Sequence, residues 1–218
     1  MSWDWDYALS ALPILLQGLQ LTVIATIGGY VLAIVLGLVV ALVRRLAPRW
    51  AGTGVYWVME FIRSTPLLVQ LFVLYFGLPV FGIVLPPMVV GIIGLGLHYA
   101  AYTAEVYRSG IEAVPRGQWE AATALNLPTR RVWTGVVLPQ AIPKVIPALG
   151  NYLISMFKDT PLLLAIGVVE LLNSAYRHSA RTFEDPFELM TMVGLLFLAV
   201  SIPSAIFIRH LERRYAAV

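Results

Sequence analysis

The chain has 218 residues, of which 59% are apolar and only 12% charged, with a formal net charge of +3. Soluble domains carry roughly 45–50% apolar and about 25% charged residues and cannot bury this much apolar surface at such a size, while disordered chains are poor in apolar residues and rich in charge. Both classes are excluded, and the composition is that of an integral membrane protein.

The chain opens Met1-Ser2-Trp3-Asp4-Trp5-Asp6, acidic where a removable signal peptide is basic, so no cleaved leader is expected. Tyr7 to Val43 carries no charge. A membrane span needs about 20 apolar residues. Pro13, Gln17 and Gln20 weaken the first part of this run, which predicts an interfacial or periplasmic helix over 8–18 and span 1 over about 20–43. A short basic loop follows, with Arg44, Arg45, Pro48 and Arg49. Span 2 is predicted over about 55–78, ending before Pro79, and contains Glu60 and Arg63. Span 3 follows Pro86-Pro87 over about 88–107, where Gly91, Gly94 and Gly96 permit close helix packing.

The stretch 108–147 is different in kind. Arg108, Glu112, Arg116, Glu120, Arg130, Arg131 and Lys144 are spread through it, with Pro115, Pro128, Pro139 and Pro143 as breaks. It reads as a long polar loop with short helices over about 117–126 and 129–137. Span 4 is predicted over about 148–171 and carries Lys158 and Asp159. Residues 173–187 read as a mixed-charge loop, and the uncharged run Leu189 to Ile208 as span 5. The whole is an all-α, five-span membrane domain over 1–218. Eleven of the fifteen Lys and Arg residues fall in the 44–54 loop, the 108–147 loop and the C-terminal tail, against two, Arg177 and Arg181, on the other side. Positive charge stays on the cytoplasmic side, which predicts an outside N-terminus and a cytoplasmic C-terminus.

Several chemistries have no residues to support them. There is no cysteine, and the three histidines, His98, His178 and His210, make no metal-ligand spacing. Neither lysine, Lys144 or Lys158, lies in a phosphate-binding P-loop. No catalytic constellation sits at membrane depth, which disfavours an intramembrane enzyme. No cofactor or metal is expected on this chain, and if ATP drives its work, another subunit must bind ATP and Mg.

The most informative stretch is Gly117-Gln118-Trp119-Glu120-Ala121-Ala122-Thr123-Ala124-Leu125-Asn126, followed by Val136-Val137-Leu138-Pro139-Gln140-Ala141. It resembles the EAA loop of the permease subunits of type I ATP-binding-cassette importers. That pattern is Glu-Ala-Ala, a glycine four residues on, then an apolar stretch ending in Leu-Pro. Glu120, Ala121, Ala122, Leu138 and Pro139 match it. Asn126 stands in the glycine position; asparagine also tolerates the left-handed conformation, so a turn survives. In the family this loop forms a coupling helix that docks on the ATPase, which implies coupling roles for Gly117, Gln118, Glu120, Ala121, Ala122, Asn126, Leu138 and Pro139. Small alanines allow close approach, and Glu120 near a helix start suits the helix dipole. Phe61-Ile62-Arg63-Ser64-Thr65-Pro66-Leu67-Leu68-Val69-Gln70, Tyr102-Thr103-Ala104-Glu105-Val106-Tyr107-Arg108-Ser109-Gly110-Ile111 and Lys158-Asp159-Thr160-Pro161-Leu162 narrow the resemblance to the polar amino acid uptake subfamily. That subfamily more often has Gly at Ser64 and Ser at Pro161. The run from Gly94-Leu95-Gly96-Leu97-His98-Tyr99-Ala100 through Asn126 is similar to the ectoine and hydroxyectoine permease subunits. The resemblance implies a bacterial inner-membrane protein that works with an ATPase dimer, a second permease subunit, identical or not, and an extracytoplasmic solute-binding protein. Nucleic acid is not among the implied partners.

Other residues allow two readings from sequence. Glu60 and Arg63, spaced i,i+3, can pair, as a functional site in the span or as a structural pair near its cytoplasmic mouth. Lys158 and Asp159 point about 100° apart on a helix; with Thr160 they either line a translocation path or join spans. Glu105 can pair locally with Arg108. His98 suits an interhelical hydrogen bond. Tyr75, Phe76, Tyr99 and Tyr102 either anchor and pack or stack on a cationic or zwitterionic solute. The rival function is a channel or ion-coupled carrier needing no ATPase. Twelve acidic residues, few of them in spans, leave little for a proton relay.

Overall fold

A computed structural model describes residues 3–184 and 186–216. Met1 and Ser2 of the acidic N-terminus, Asp185 of the 173–187 segment, Ala217 and Val218 lie outside the described residues. The described residues form helices and no strand.

Helix α1 runs from Trp5 to Leu46 without a break. Its 42 residues span about 63 Å at 1.5 Å per residue, longer than a membrane core. The expected division into an 8–18 helix and a separate 20–43 span is therefore corrected. Pro13 lies nine residues into the helix, beyond the first turn, and the helix passes through it. Membrane helices tolerate an interior proline when neighbours re-satisfy the backbone. The Asp4 side chain caps the start by accepting from the Tyr7 amide at 3.0 Å.

Helices α2 (Arg49–Ser64) and α3 (Leu67–Phe72) meet at a sharp corner. A π-turn over Val73–Gly77 and a 3-10 turn over Leu78–Phe81 extend α3. The two halves are bent by 105°, so the expected straight span 2 is a broken one, and it continues through Pro79. Pro66 forces the bend: it lacks an amide donor, and Thr65 before it is extended, with φ −110° and ψ 141°. Helix α4 (Pro87–Glu112) follows and runs parallel to α1. The two pack closely because small residues face each other. A Cβ on Gly37 would collide with Thr103, and one on Gly96 with Leu32. Thr103 Oγ1 donates to the Ala33 carbonyl at 2.8 Å across this seam.

Beyond α4 come α5 (Arg116–Ala124), the single turn α6 (Thr129–Arg131) and a π-turn over Val132–Val137. Helix α7 (Leu138–Asp159) then starts well before the expected boundary near 148. Pro143 and Pro147 sit inside it; Pro143, read from sequence as a break, is absorbed. A 3-10 stretch over Thr160–Ile166 ends at Gly167, which takes φ +85°. Residues expected to be a loop form α8 (Leu171–Thr182). Its buried face, Leu171, Ser174, Ala175 and Ser179, repeats at helical spacing, and Ser174 and Leu171 crowd Gly18 of α1. Helix α9 (Phe187–Ala216) closes the fold. The central core joins Leu67 and Leu71 of α3, Leu95 of α4, Met156 of α7, and Leu163 and Ile166 of the 3-10 stretch that follows it. Many apolar side chains on α9 and on one face of α1 stay exposed, as lipid contact requires: Leu195, Leu198, Ile202 and Phe207 of α9 are examples.

Candidate functional site

The 113–137 segment is a folded platform. Helix α5 stands on Trp119, whose ring meets Trp133 edge-on at 5.6 Å. Arg45, near the end of α1, lies over both rings, 5.5 Å from Trp119 and 4.9 Å from Trp133, a cation–π clamp. Val114, Val137 and Ala141 fill the space beneath, and Lys144 Nζ donates to the Ala113 carbonyl at 2.9 Å. The helix ends in a Schellman turn: the Leu127 amide bonds the Ala122 carbonyl at 3.1 Å and the Asn126 amide the Thr123 carbonyl at 2.9 Å. Asn126 has φ +50°, the left-handed conformation its place demands. Gly117, Gln118, Glu120, Ala121 and Asn126 are exposed on the outer face, whereas Ala122 is buried and supports the helix from within. Leu138 and Pro139, also exposed, open α7.

A charge network lies just beyond this platform. Glu60 pairs with Arg63, as the spacing suggests, and Glu105 with Arg108 at 2.7 Å. The network is wider than two local pairs. Glu105 also binds Arg44 of α1, and Arg63 lies 3.8 Å from it. Arg108 reaches Glu112 as well. Glu105 is thus a hub joining α1, α2 and α4. The sequence signal for Arg44 was an arginine at one span end and a carboxylate near the matching end of another.

The third feature is a polar and aromatic cluster among α3, α4 and α7. Gln70 repairs the corner at Pro66: its Nε2 donates to the Ile62 carbonyl at 2.7 Å and to Thr65 Oγ1 at 2.7 Å. Gln70 Oε1 meets His98 Nδ1 at 3.1 Å. Tyr99 OH donates to Asp159 Oδ2 at 2.7 Å, and Tyr102 OH to the Arg63 carbonyl at 3.4 Å. The rings of His98, Tyr99, Tyr102 and Tyr152 lie 5.2–6.1 Å apart. One carboxylate and four aromatic rings thus lie together beside the corner of the broken span, with Tyr99 buried in the core; a carboxylate edged by aromatic rings can hold an organic cation or ammonium.

Only Asp159 of the three neighbours Lys158, Asp159 and Thr160 joins this cluster. Lys158 points to a groove along α9 with Gly194, Leu198 and Arg209. Thr160 is fully buried, and its hydroxyl donates to the Phe157 carbonyl at 2.7 Å. Tyr75 packs against the central core, and Phe76 is exposed beside it. Gln70 and Tyr152 were not singled out from sequence; a polar side chain four residues after a span-breaking proline is the signal for the first. A separate cavity of about 260 Å³ between α1, α7 and α9 is apolar, lined by residues such as Val23, Ile27, Phe157 and Phe207. It holds no charged group.

Comparison with known proteins gives a consistent picture. Residues 33–217 match the family described as binding-protein-dependent transport system inner membrane component. A probable amino-acid ABC transporter permease protein of Sinorhizobium fredii is 47% identical over 206 residues, covering 94% of this chain and 89% of that one. The glutamine transport system permease protein of Escherichia coli is 31% identical over 217 residues, covering 98% of each. Among solved structures, an amino acid ABC transporter crystallised with histidines superposes with a TM-score of 0.92 at 31% identity, covering 98% of this chain and 100% of that one. The inward-facing methionine ABC transporter shares the fold, with a TM-score of 0.71 at 18% identity.

Proposed function

Because the chain belongs to the family of binding-protein-dependent transport system inner membrane components, we propose that it forms the membrane passage of an ATP-driven importer of amino acids or related zwitterions, with ectoine and hydroxyectoine as the narrower substrates. Its relatives are permease subunits rather than enzymes. ATP and Mg belong in this reading to a separate ATPase dimer, and a second permease subunit completes the passage. A solute-binding protein delivers the cargo from outside. The observation that carries the reading is the α5 platform: one face is fixed by Trp119, Ala122 and Arg45, and the other presents Gly117, Gln118, Glu120 and Ala121. A short, exposed helix with small side chains and a rigid footing is what a nucleotide-driven partner needs to push on.

The platform then lies on the cytoplasmic side, as the positive-inside count also has it, and α8 on the outer side. ATP-driven closure must bind one membrane conformation better than the other, since only differential binding shifts such an equilibrium. Movement of α5 reaches the passage through α4, which carries Glu105 of the charge network and Tyr99 and Tyr102 of the aromatic cluster. Asp159, with the rings of Tyr99, Tyr102 and Tyr152, receives the positive end of the passing solute. This cluster also favours solutes whose cation is delocalised, as in ectoine, since weak hydration makes stacking on aromatic faces easier. The relatives favour this reading over an ion-coupled carrier, because they are permease proteins of amino-acid ABC transporters.

The test is uptake of labelled ectoine, histidine and glutamine by cells expressing this chain with its ATPase, second permease and binding protein. Uptake should stop with Glu120→Ala. Ectoine entry that resists amino acid competition supports the narrower substrate, and amino acid entry instead removes it. Uptake indifferent to both Glu120 and the ATPase overturns the coupling reading.

A further inference from the structure

Five arginines and three glutamates meet where α1 turns into α2 and touches α4: Arg44, Arg45, Arg49, Arg63 and Arg108 against Glu60, Glu105 and Glu112. The glutamates are taken up by Arg44, Arg63 and Arg108. Two positive charges are left in surplus. They are Arg45 and Arg49, which form no ion pair among the described residues, and both line one open pocket of about 440 Å³. Arg44, Thr53 and Tyr56 line it too, and no carboxylate does. The first turn of α2 carries no acidic residue to occupy its free amides. Beside the pocket the surface is apolar: Leu46 is 76% exposed, Trp50 79% and Trp57 63%. Tryptophans so exposed at the start of a membrane helix mark headgroup depth.

We propose that this pocket is a binding site for the phosphodiester headgroup of an anionic phospholipid, its acyl chains lying along Leu46, Trp50 and Trp57. Guanidinium groups recognise phosphate oxygens in pairs, the Thr53 hydroxyl supplies a neutral donor, and the α2 amides face the same negative charge. The site has a consequence for the coupling platform, because Arg45 is shared. The guanidinium that clamps Trp119 and Trp133 also closes one wall of the lipid pocket. Occupancy by an anionic headgroup holds Arg45 in place and steadies α5. The binding site itself needs only a membrane-spanning chain, so it stands apart from the substrate reading.

Native mass spectrometry of the purified full chain in detergent, titrated with phosphatidylglycerol, phosphatidylcholine of the same chains, or inorganic phosphate, tests this directly. One phosphatidylglycerol per chain should be retained at least about tenfold more tightly than phosphatidylcholine. The double substitution Arg45→Gln/Arg49→Gln should remove that preference, and Thr53→Ala should weaken it a few-fold. Arg213→Gln/Arg214→Gln, at the far end of α9 on the same side of the membrane, should leave it intact. Equal retention of both lipids, or equal loss in the Arg213/Arg214 variant, overturns a specific site in favour of general attraction to basic residues. Inorganic phosphate binding as tightly as phosphatidylglycerol overturns the lipid as occupant. Because the readout is lipid retention, an inactive transporter or a wrong substrate leaves the result interpretable.

Discussion

Asn126 and Phe183 are the two non-glycine residues with positive φ among the described residues, at +50° and +59°. Both end a helix, where glycine is the usual solution. Asparagine bears the left-handed conformation with little penalty, but phenylalanine does not. Phe183 is 93% exposed, so its ring gains no packing in return. Phe183→Gly should therefore stabilise the protein by about 1 kcal/mol, and Asn126→Gly by less. In a chain of this length 1 kcal/mol corresponds to about 2–4 °C in Tm, readable by thermal unfolding in detergent. A second residue-level expectation concerns Glu170. It is fully buried and caps α8, accepting from the Leu172 amide at 2.9 Å and the Asn173 amide at 2.8 Å. Burial raises its pKa above the ordinary 4.5, opposed by those two amide bonds. The folded state thus holds the proton more firmly than the unfolded chain. Its contribution to stability is complete below pH 4.5 and is lost as pH rises through the folded pKa. The Tm of the wild type should fall relative to that of Glu170→Gln as pH rises from 4.5 towards neutrality. A Tm difference that is flat across that range would contradict the burial argument.

At the scale of elements, the seam between α1 and α4 is the tightest constraint on the fold. Gly37 meets Thr103 and the Ala104 backbone, leaving no room for a side chain. Gly37→Val should cost about 1–3 kcal/mol through overpacking, seen as a lower Tm and poorer recovery of folded protein. Gly54, with open space around its Cβ position, is the comparison site where Gly54→Ala should be tolerated. The apolar runs and the basic loops made the long helices legible in the sequence, because hydropathy and charge are summed over many residues. The paired charges Glu60–Arg63 and Glu105–Arg108 were legible from i,i+3 spacing. Three elements were not. The continuity of α1 through Pro13 depends on packing against α8, which a local reading does not contain. The 105° corner at Pro66 is stabilised by Gln70, whose side chain bonds backbone groups five and eight residues earlier. Helix α8 presents Ser174 and Leu171 to Gly18, and its buried face of Leu171, Ser174, Ala175 and Ser179 is too small and polar to stand out beside full membrane spans. Its cap, Glu170, falls by sequence at the end of the expected span 4, whereas the structure closes that apolar helical run at Ile166 and leaves Glu170 to open α8.

For the molecule as a whole, α1 is a rod that touches both ends. Near one end Tyr7 OH bonds Thr182 Oγ1 at 3.1 Å, and Thr22 Oγ1 accepts from the Leu171 amide at 3.1 Å. Near the other, Arg44 enters the charge network and Arg45 grips the platform tryptophans. Glu105 is the residue on which this connection turns, since it faces Arg44, Arg63 and Arg108 at once. Removing its charge leaves three guanidiniums close together with two glutamates at the edge. Glu105→Gln should cost about 2–4 kcal/mol, below the largest buried-pair losses because its side chain is still 21% exposed. A double-mutant cycle with Arg44→Gln should return a coupling of at least about 0.5 kcal/mol. The platform's attachment to the rod can be followed separately. The chain has no cysteine, so a pair introduced at Leu46 and Ala124, both exposed, can carry spin labels without background. If Arg45 fixes α5 to α1, the distance between the labels should shift by no more than about 2 Å when nucleotide binds the assembled transporter, as in a rigid-body movement. Arg45→Ala should broaden that distribution while the platform's own Trp119–Trp133 contact persists. A distance that changes widely in the wild type would mean that α5 moves on its own hinge at Val114 and Pro115, and that force reaches the passage through α4 alone.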